Sequence, residues 1–150
     1  MKNPSKEGFL SAQRLFDKAA VGMLLQNKRS ANWAGCRYHS EDGCRCALGF
    51  ILTDEAYSAE LEGFGIRGAN PSRLLADPTD PRSKVVQALQ RSKVDVRDPR
   101  LFGMLQSLQK IHDIEPIQLW PRELKKLALR HGLSTKSIDK VIDERASADE

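Results

Sequence analysis

Between Arg82 and Ile142 the chain is cut into short helical lengths by residues whose backbone chemistry leaves little choice. Asp98-Pro99 sets a capping carboxylate before a proline at the first helical position. Trp120-Pro121 opens a second helix, Gly132 stops it, and Ser134 caps a third. Inside each length the apolar residues recur at three- and four-residue steps. They are Val85, Val86 and Leu89, then Leu101, Phe102, Leu105, Leu108 and Ile111 with His112, then Leu124, Leu127 and Ala128, and finally Ile138, Val141 and Ile142. The same spacing in Phe9, Ala12, Phe16, Ala19, Ala20, Met23 and Leu24 predicts a long helix from about Phe9 to Gln26, with Gln13, Arg14, Asp17 and Lys18 on its solvent side. The fold class this predicts is mainly α.

One β element is expected. Asp42-Gly43 is a turn signal, and it predicts a small two-stranded hairpin with arms near residues 36–39 and 44–46, which brings the fold to the α+β border. Ala47 to Leu52 is apolar but too short for an independent helix, and Thr53 or Asp54 can cap a turn after it. Gly63, Gly65, Gly68, Pro71, Pro78 and Pro81 punctuate residues 63–81, which read as a loop with one helical turn near Ser72 to Ala76. The 150 residues, 40% of them hydrophobic, suffice for one core, so 1–150 reads as a single domain: a helix and cysteine hairpin over 9–62, the loop, a helical half over 82–142, and a frayed tail at 146–150. No apolar run reaches 18 residues, and Met1 to Gly8 carries lysines with no hydrophobic block behind them. A soluble protein with neither a membrane span nor a secretory signal is therefore expected.

Residues 124–142 resemble the helix-turn-helix of bacterial repressors. Ala128 is the small residue where the helices cross, Gly132 permits the left-handed turn, Leu133 is its buried aliphatic, Ser134 its capping hydroxyl, and Ile138 and Val141 face inward. The resemblance implies that the second helix enters a major groove with Thr135, Lys136, Ser137 and Lys140 toward the bases. Lys126 and Arg130 would reach phosphates, Asp139 would face or flank them, and the protein would act as a homodimer. The supporting helix would be the upstream one, Pro99 to His112. Packing alone needs the same Ala, Gly and aliphatic positions, so an αα-hairpin reads the same residues without a ligand.

The formal charge of +4 conceals a separation. Arg82 to Lys140 holds 13 Lys or Arg against 6 Asp or Glu, whereas Glu41 to Glu62 holds six acids against Arg45 alone. A basic helical half favours phosphate contacts, and a basic surplus of this size is also compatible with ordinary solvated helix surfaces.

All three cysteines lie within eleven residues, which excludes the spread framework of a disulfide-stapled secreted domain and points to reduced thiols in a cytoplasm. Cys36, His39, Cys44 and Cys46 offer four ligands for zinc, although Cys44 and Cys46 at a two-residue step should point to different faces of a strand. Two of these thiols, Cys36 and Cys46, can equally pack as small hydrophobes. A catalytic alternative is a Cys/His hydrolase or transferase with Cys46 as thiolate at a helix start, His112 as base and Asp113 as orienter. Sequence neighbours such as His112 and Asp113 are expected to point apart.

A second resemblance runs through Cys36-x-Tyr38, Asp42-Gly43, Cys46-Ala47-x-Gly49, Asp54-Glu55-x-Tyr57, Glu62-Gly63, Leu108-Gln109-x-Ile111-His112-Asp113 and Trp120. These residues resemble a family of small phage- and prophage-type bacterial proteins. The family brings no activity with it, and it implies a mobile-element setting in which small proteins bind and block host machinery. His39 and Cys44 lie outside its pattern. The combined expectation is a non-enzymatic binding protein that acts on nucleic acid or on a host nucleic-acid-processing complex, including as an inhibitor of host defence. Its alternatives are the cysteine-dependent enzyme and a zinc-clipped interaction module.

Overall fold

The computed structural model describes residues 8–32 and 35–148. Seven α-helices dominate them: α1 Ala12–Gln26, α2 Ala47–Ile51, α3 Pro71–Ala76, α4 Arg82–Arg91, α5 Pro99–Ile114, α6 Trp120–Arg130 and α7 Lys136–Ala148. Two short strands, β1 Ala31–Asn32 and β2 Gly35–Cys36, pair antiparallel between α1 and α2. The fold is mainly α, as the periodicity predicts. Among the described residues no helix is long and apolar enough to cross a membrane.

The capping chemistry works at most of the positions expected of it. Asp98 accepts the N–H groups of Arg100 and Leu101 at 3.0 and 3.2 Å, and Pro99 opens α5. Helix α1 begins at Ala12 rather than Phe9, because the Ser11 hydroxyl accepts the Arg14 N–H at 3.2 Å and leaves Phe9 outside. Its inner face is Leu15, Phe16, Ala19, Ala20, Met23 and Leu24, all essentially inaccessible. One contiguous core joins that face to α2, α4, α5, α6 and α7.

The expected hairpin arms do not form as strands. Asp42-Gly43 does make the turn, with Gly43 at φ +84°, the Ser40 N–H on the Cys44 carbonyl at 2.9 Å, and a single bridge between His39 and Arg45. The ladder goes no further because its donors are used elsewhere. The Glu62 carboxylate takes the N–H of Tyr38 at 2.8 Å and of His39 at 3.1 Å. On the other arm, Cys46 turns into the N-cap of α2 and its carbonyl accepts the Phe50 N–H. Gly35–Cys36 pairs instead with residues 31–32, upstream.

The five-residue α2 exists because its surroundings supply what its length cannot. The Cys46 Sγ accepts the Gly49 N–H at 3.4 Å, and the Gln109 amide oxygen on α5 accepts the Leu48 N–H at 3.1 Å. Gly22 of α1 lies flat against the Phe50 ring, and Gly49 lies against the Tyr38 carbonyl. A Cβ at Gly49 would stand 2.1 Å from that carbonyl oxygen, which is backbone and cannot move aside.

Gly49→Ala is expected to destabilise the protein by about 3 kcal/mol, read as a lowered urea midpoint, since it forces apart two packed backbones. Gly103→Ala, inside α5 with nothing within 4 Å of the added carbon, is expected to stabilise by about 0.5–1 kcal/mol. Equal effects of the two would mean that α2 does not approach Tyr38 this closely.

Candidate functional site

Residues 124–142 form the end of α6, the turn that follows it and the start of α7. Helix α6 ends in the paired bonds of a left-handed stop: Leu133 N–H to Ala128 C=O at 2.8 Å, and Gly132 N–H to Leu129 C=O at 3.1 Å, with Gly132 at φ +65°. Ala128 and Ile138 are fully buried and Val141 nearly so, whereas Leu133, expected to be buried in the turn, is half-buried. The Ser134 hydroxyl accepts the Lys136 N–H at 3.1 Å at the start of α7. The expected support from α5 reaches only α6; α7 packs chiefly on α1. There the Gln13 amide grips the turn at two points, accepting the Ser134 N–H at 2.8 Å and donating to its carbonyl at 3.1 Å.

On this frame Lys126, Arg130, Lys136 and Lys140 are exposed, and Thr135 and Ser137 half-buried. Asp139, the acid expected to face or flank phosphates, stays partly exposed and is paired with its neighbours. It pairs with Lys125 of α6 at 2.9 Å and accepts the Thr135 hydroxyl at 2.8 Å, and these bonds hold its carboxyl below the usual range. Thr135 thereby spends its hydroxyl internally. Lys126 has Glu123 at 3.6 Å, whereas Arg130, Lys136 and Lys140 have no carboxylate within 4.0 Å among the described residues.

The second constellation lies at the other end of α5. His112 is fully buried against Trp120, with ring centroids 5.6 Å apart. Its Nε2 accepts the Ser30 N–H at 3.0 Å, so the proton of the neutral ring sits on Nδ1, which donates to Asp113 Oδ1 at 2.8 Å. The two neighbours do not point apart. Gln109, one turn earlier, donates to the same carboxylate oxygen at 2.8 Å and holds it over the ring. Around them the carbonyls at the end of α5 find donors: the Trp120 indole reaches Ile111 and Glu115 at 3.1 and 3.2 Å, and the Arg29 guanidinium reaches His112 and Glu115.

The cysteine beside this pair is Cys36, not Cys46. Cys46 is fully buried, caps α2, and has its thiol pushed up to about 12 by burial, the opposite of an activated thiolate. Cys36 is exposed on β2, and its Sγ, a His112 nitrogen and an Asp113 oxygen lie within 4.8 Å of one another. Burial first, and then the Asp113 carboxylate, push the Cys36 thiol up to about 11. The signal in the sequence was His112-Asp113 itself; which thiol would meet it depended on the β1–β2 pairing.

The proposed zinc ligands do not converge. Among the described residues no three of Cys36, His39, Cys44 and Cys46 bring their ligand atoms within 4.8 Å of one another. His39 stacks on Tyr57 at 3.8 Å, and Cys44 is buried under the Ser40–Asp42 turn. The Cys36–His112–Asp113 group suits a metal poorly for a different reason. Ser30 occupies the Nε2 lone pair and Nδ1 carries the proton, so the ring has no lone pair to give.

A cleft of about 480 Å³ opens over Cys36. Gln109 and Asp113 line it from α5, Tyr38 and Phe64 from the loops, and Arg37, Arg67 and Arg82 bring positive charge. Glu62 holds its wall: besides Tyr38 and His39 it accepts the Tyr57 hydroxyl at 2.7 Å, and Tyr38 in turn donates its hydroxyl to the Phe64 carbonyl at 2.5 Å.

Asp113→Asn removes the charge that opposes thiolate formation while keeping an oxygen for His112. The midpoint of Cys36 alkylation against pH is therefore expected to fall below about 11 and to stay above the ordinary thiol range, because burial, the larger cause, is unchanged. An unmoved midpoint would place the carboxylate away from the thiol.

Comparison with protein-family models, with curated proteins and with solved structures finds no match to this chain.

Proposed function

We propose that the chain is a non-enzymatic binding protein of the phage or prophage type that engages nucleic acid through the α6–turn–α7 surface. The observation that carries this reading is the exposure of Lys126, Arg130, Lys136 and Lys140 around one glycine turn, with the one intervening acid, Asp139, neutralised by Lys125. Arg130 and Lys126, one turn apart on α6, suit phosphates. Lys136, Ser137 and Lys140 lie on the outer side of α7, where a groove-entering helix carries its reading residues. The acidic pair Asp143 and Glu144 limits the favourable contact to the first two turns of α7.

The three free cysteines accord with a reducing cytoplasm. A dimer would place two copies of α7 one helical turn of DNA apart. A protein inside a host nucleic-acid-processing complex would present the same phosphate-like chemistry, and inhibition of host defence follows if that surface blocks the host's own nucleic-acid site.

Filter binding to duplex DNA tests the reading. With about four phosphates neutralised, affinity should fall on the order of 100-fold between 50 and 200 mM salt. Arg130→Ala and Lys140→Ala should each reduce the slope of log affinity against log salt by about 1. Absence of salt-sensitive binding at micromolar protein would sink the nucleic-acid reading.

A further inference from the structure

The cleft over Cys36 plays no part in the α6–α7 reading, and its chemistry is of a different kind. Among the described residues that line it, three are arginines and one, Asp113, is a carboxylate. One Asp113 oxygen receives both the His112 and the Gln109 protons, and its negative charge remains in the cleft opposite the arginines. The carboxylates that balance two of the arginines do not line the cleft. Arg37 stands 3.9 Å from Glu62, which is itself saturated by two backbone N–H groups and the Tyr57 hydroxyl. Arg82 makes a two-pronged pair with Asp80 at 2.8 and 3.2 Å. Arg67 has no carboxylate within 4.0 Å among the described residues. One uncommitted guanidinium and two partly committed ones offer donors on a concave surface, and the planar fork of arginine matches carboxylate or phosphate oxygens.

The dimensions and the floor narrow the occupant. About 480 Å³ is the size of a small-molecule site, well below what a folded segment needs. The exposed Phe64 ring gives the wall apolar area, so a ligand with a carbon body fits better than a bare ion. At the floor the Cys36 thiol and the Gln109 amide face the same space, and Gln109 is fixed by its bonds to Leu48 and Asp113.

We propose that this cleft binds a small organic anion, its carboxylate or phosphate held by Arg67 with Arg37 and Arg82, and its body laid over the Cys36 thiol. At neutral pH the thiol meets that ligand as a protonated S–H group rather than as a resting nucleophile, and Asp113 and His112 are positioning residues behind it. The site is independent of the α6–α7 surface, so either reading can fail without the other.

Alkylation of the intact protein tests the proposal with two reagents of nearly equal size, the anionic iodoacetate and the neutral iodoacetamide, with Cys36 identified by peptide mapping and by loss of label in Cys36→Ser. The iodoacetate-to-iodoacetamide rate ratio at Cys36 should exceed that of glutathione at the same pH and salt by about tenfold, as expected for an added favourable anion contact. In Arg67→Ala, an exposed substitution that leaves the core untouched, the ratio should return to within about threefold of glutathione. Inorganic phosphate and succinate should each be tried as protectants against iodoacetamide; protection by either, beyond that of sodium chloride at equal ionic strength, supports the site and identifies the preferred headgroup. A wild-type ratio equal to that of glutathione, a ratio unchanged in Arg67→Ala, or protection no better than that of sodium chloride would overturn it.

Discussion

The buried imidazole of His112 is the joint on which the arrangement depends. A neutral ring in an apolar core must satisfy both nitrogens or lose on the order of 1–3 kcal/mol for each one left unpaired. Here one nitrogen takes the Ser30 N–H from the chain entering β1 and the other gives its proton to Asp113. Gln109 then passes the connection from Asp113 to Leu48 in α2. A single polar chain thus links α5, the approach to β1 and α2, three segments far apart in sequence. Trp120 and Arg29 close the end of α5 around it, so the start of α6 is fixed by the same cluster.

From that joint the molecule divides its surface chemistry in two. At one end α6 and α7, braced by Gln13 of α1, hold cations outward around a glycine turn. Beyond the other end of α5, a cleft with arginines on its rim stands over a thiol. The acids of residues 41–62 are not a free negative face. Glu62 is consumed in holding Tyr38, His39 and Tyr57, Asp42 pairs with Lys28, Asp54 with Arg45 and Glu60 with Lys84. Charge counted along the chain therefore overstated the acidic half. Among the described residues four of its six acids are paired, and the basic half likewise spends Arg82, Lys84, Arg122, Lys125 and Lys126 on acids.

The helices were legible because their signals are local. Asp98-Pro99, Gly132 and Ser134 act through bonds that close within four residues, and the apolar spacing needs only the helix period. The loop with one helical turn over 63–81 appears as α3 at Pro71–Ala76 for the same reason. Two elements were not legible. The arms of the Asp42-Gly43 turn lacked strand pairing because Glu62, some twenty residues on, takes their backbone donors. Helix α2 formed despite its length because α1 and α5 supply its contacts. The candidate site was half visible: His112 and Asp113 stood out as a pair, but the thiol beside them is Cys36 rather than Cys46.

What the amino-acid sequence determined by itself is the helical class, the Asp98 cap of α5, the Gly132 stop of α6 and the Ser134 cap of α7, and the set of cations available to the C-terminal surface. These follow from interactions between residues close along the chain, where geometry is nearly forced. Tertiary structure alone decided which acids remain free, which cysteine meets Asp113, and which arginines share a cleft. Those outcomes rest on pairings between distant segments, where a buried donor accepts whichever partner the packed core brings within about 3 Å.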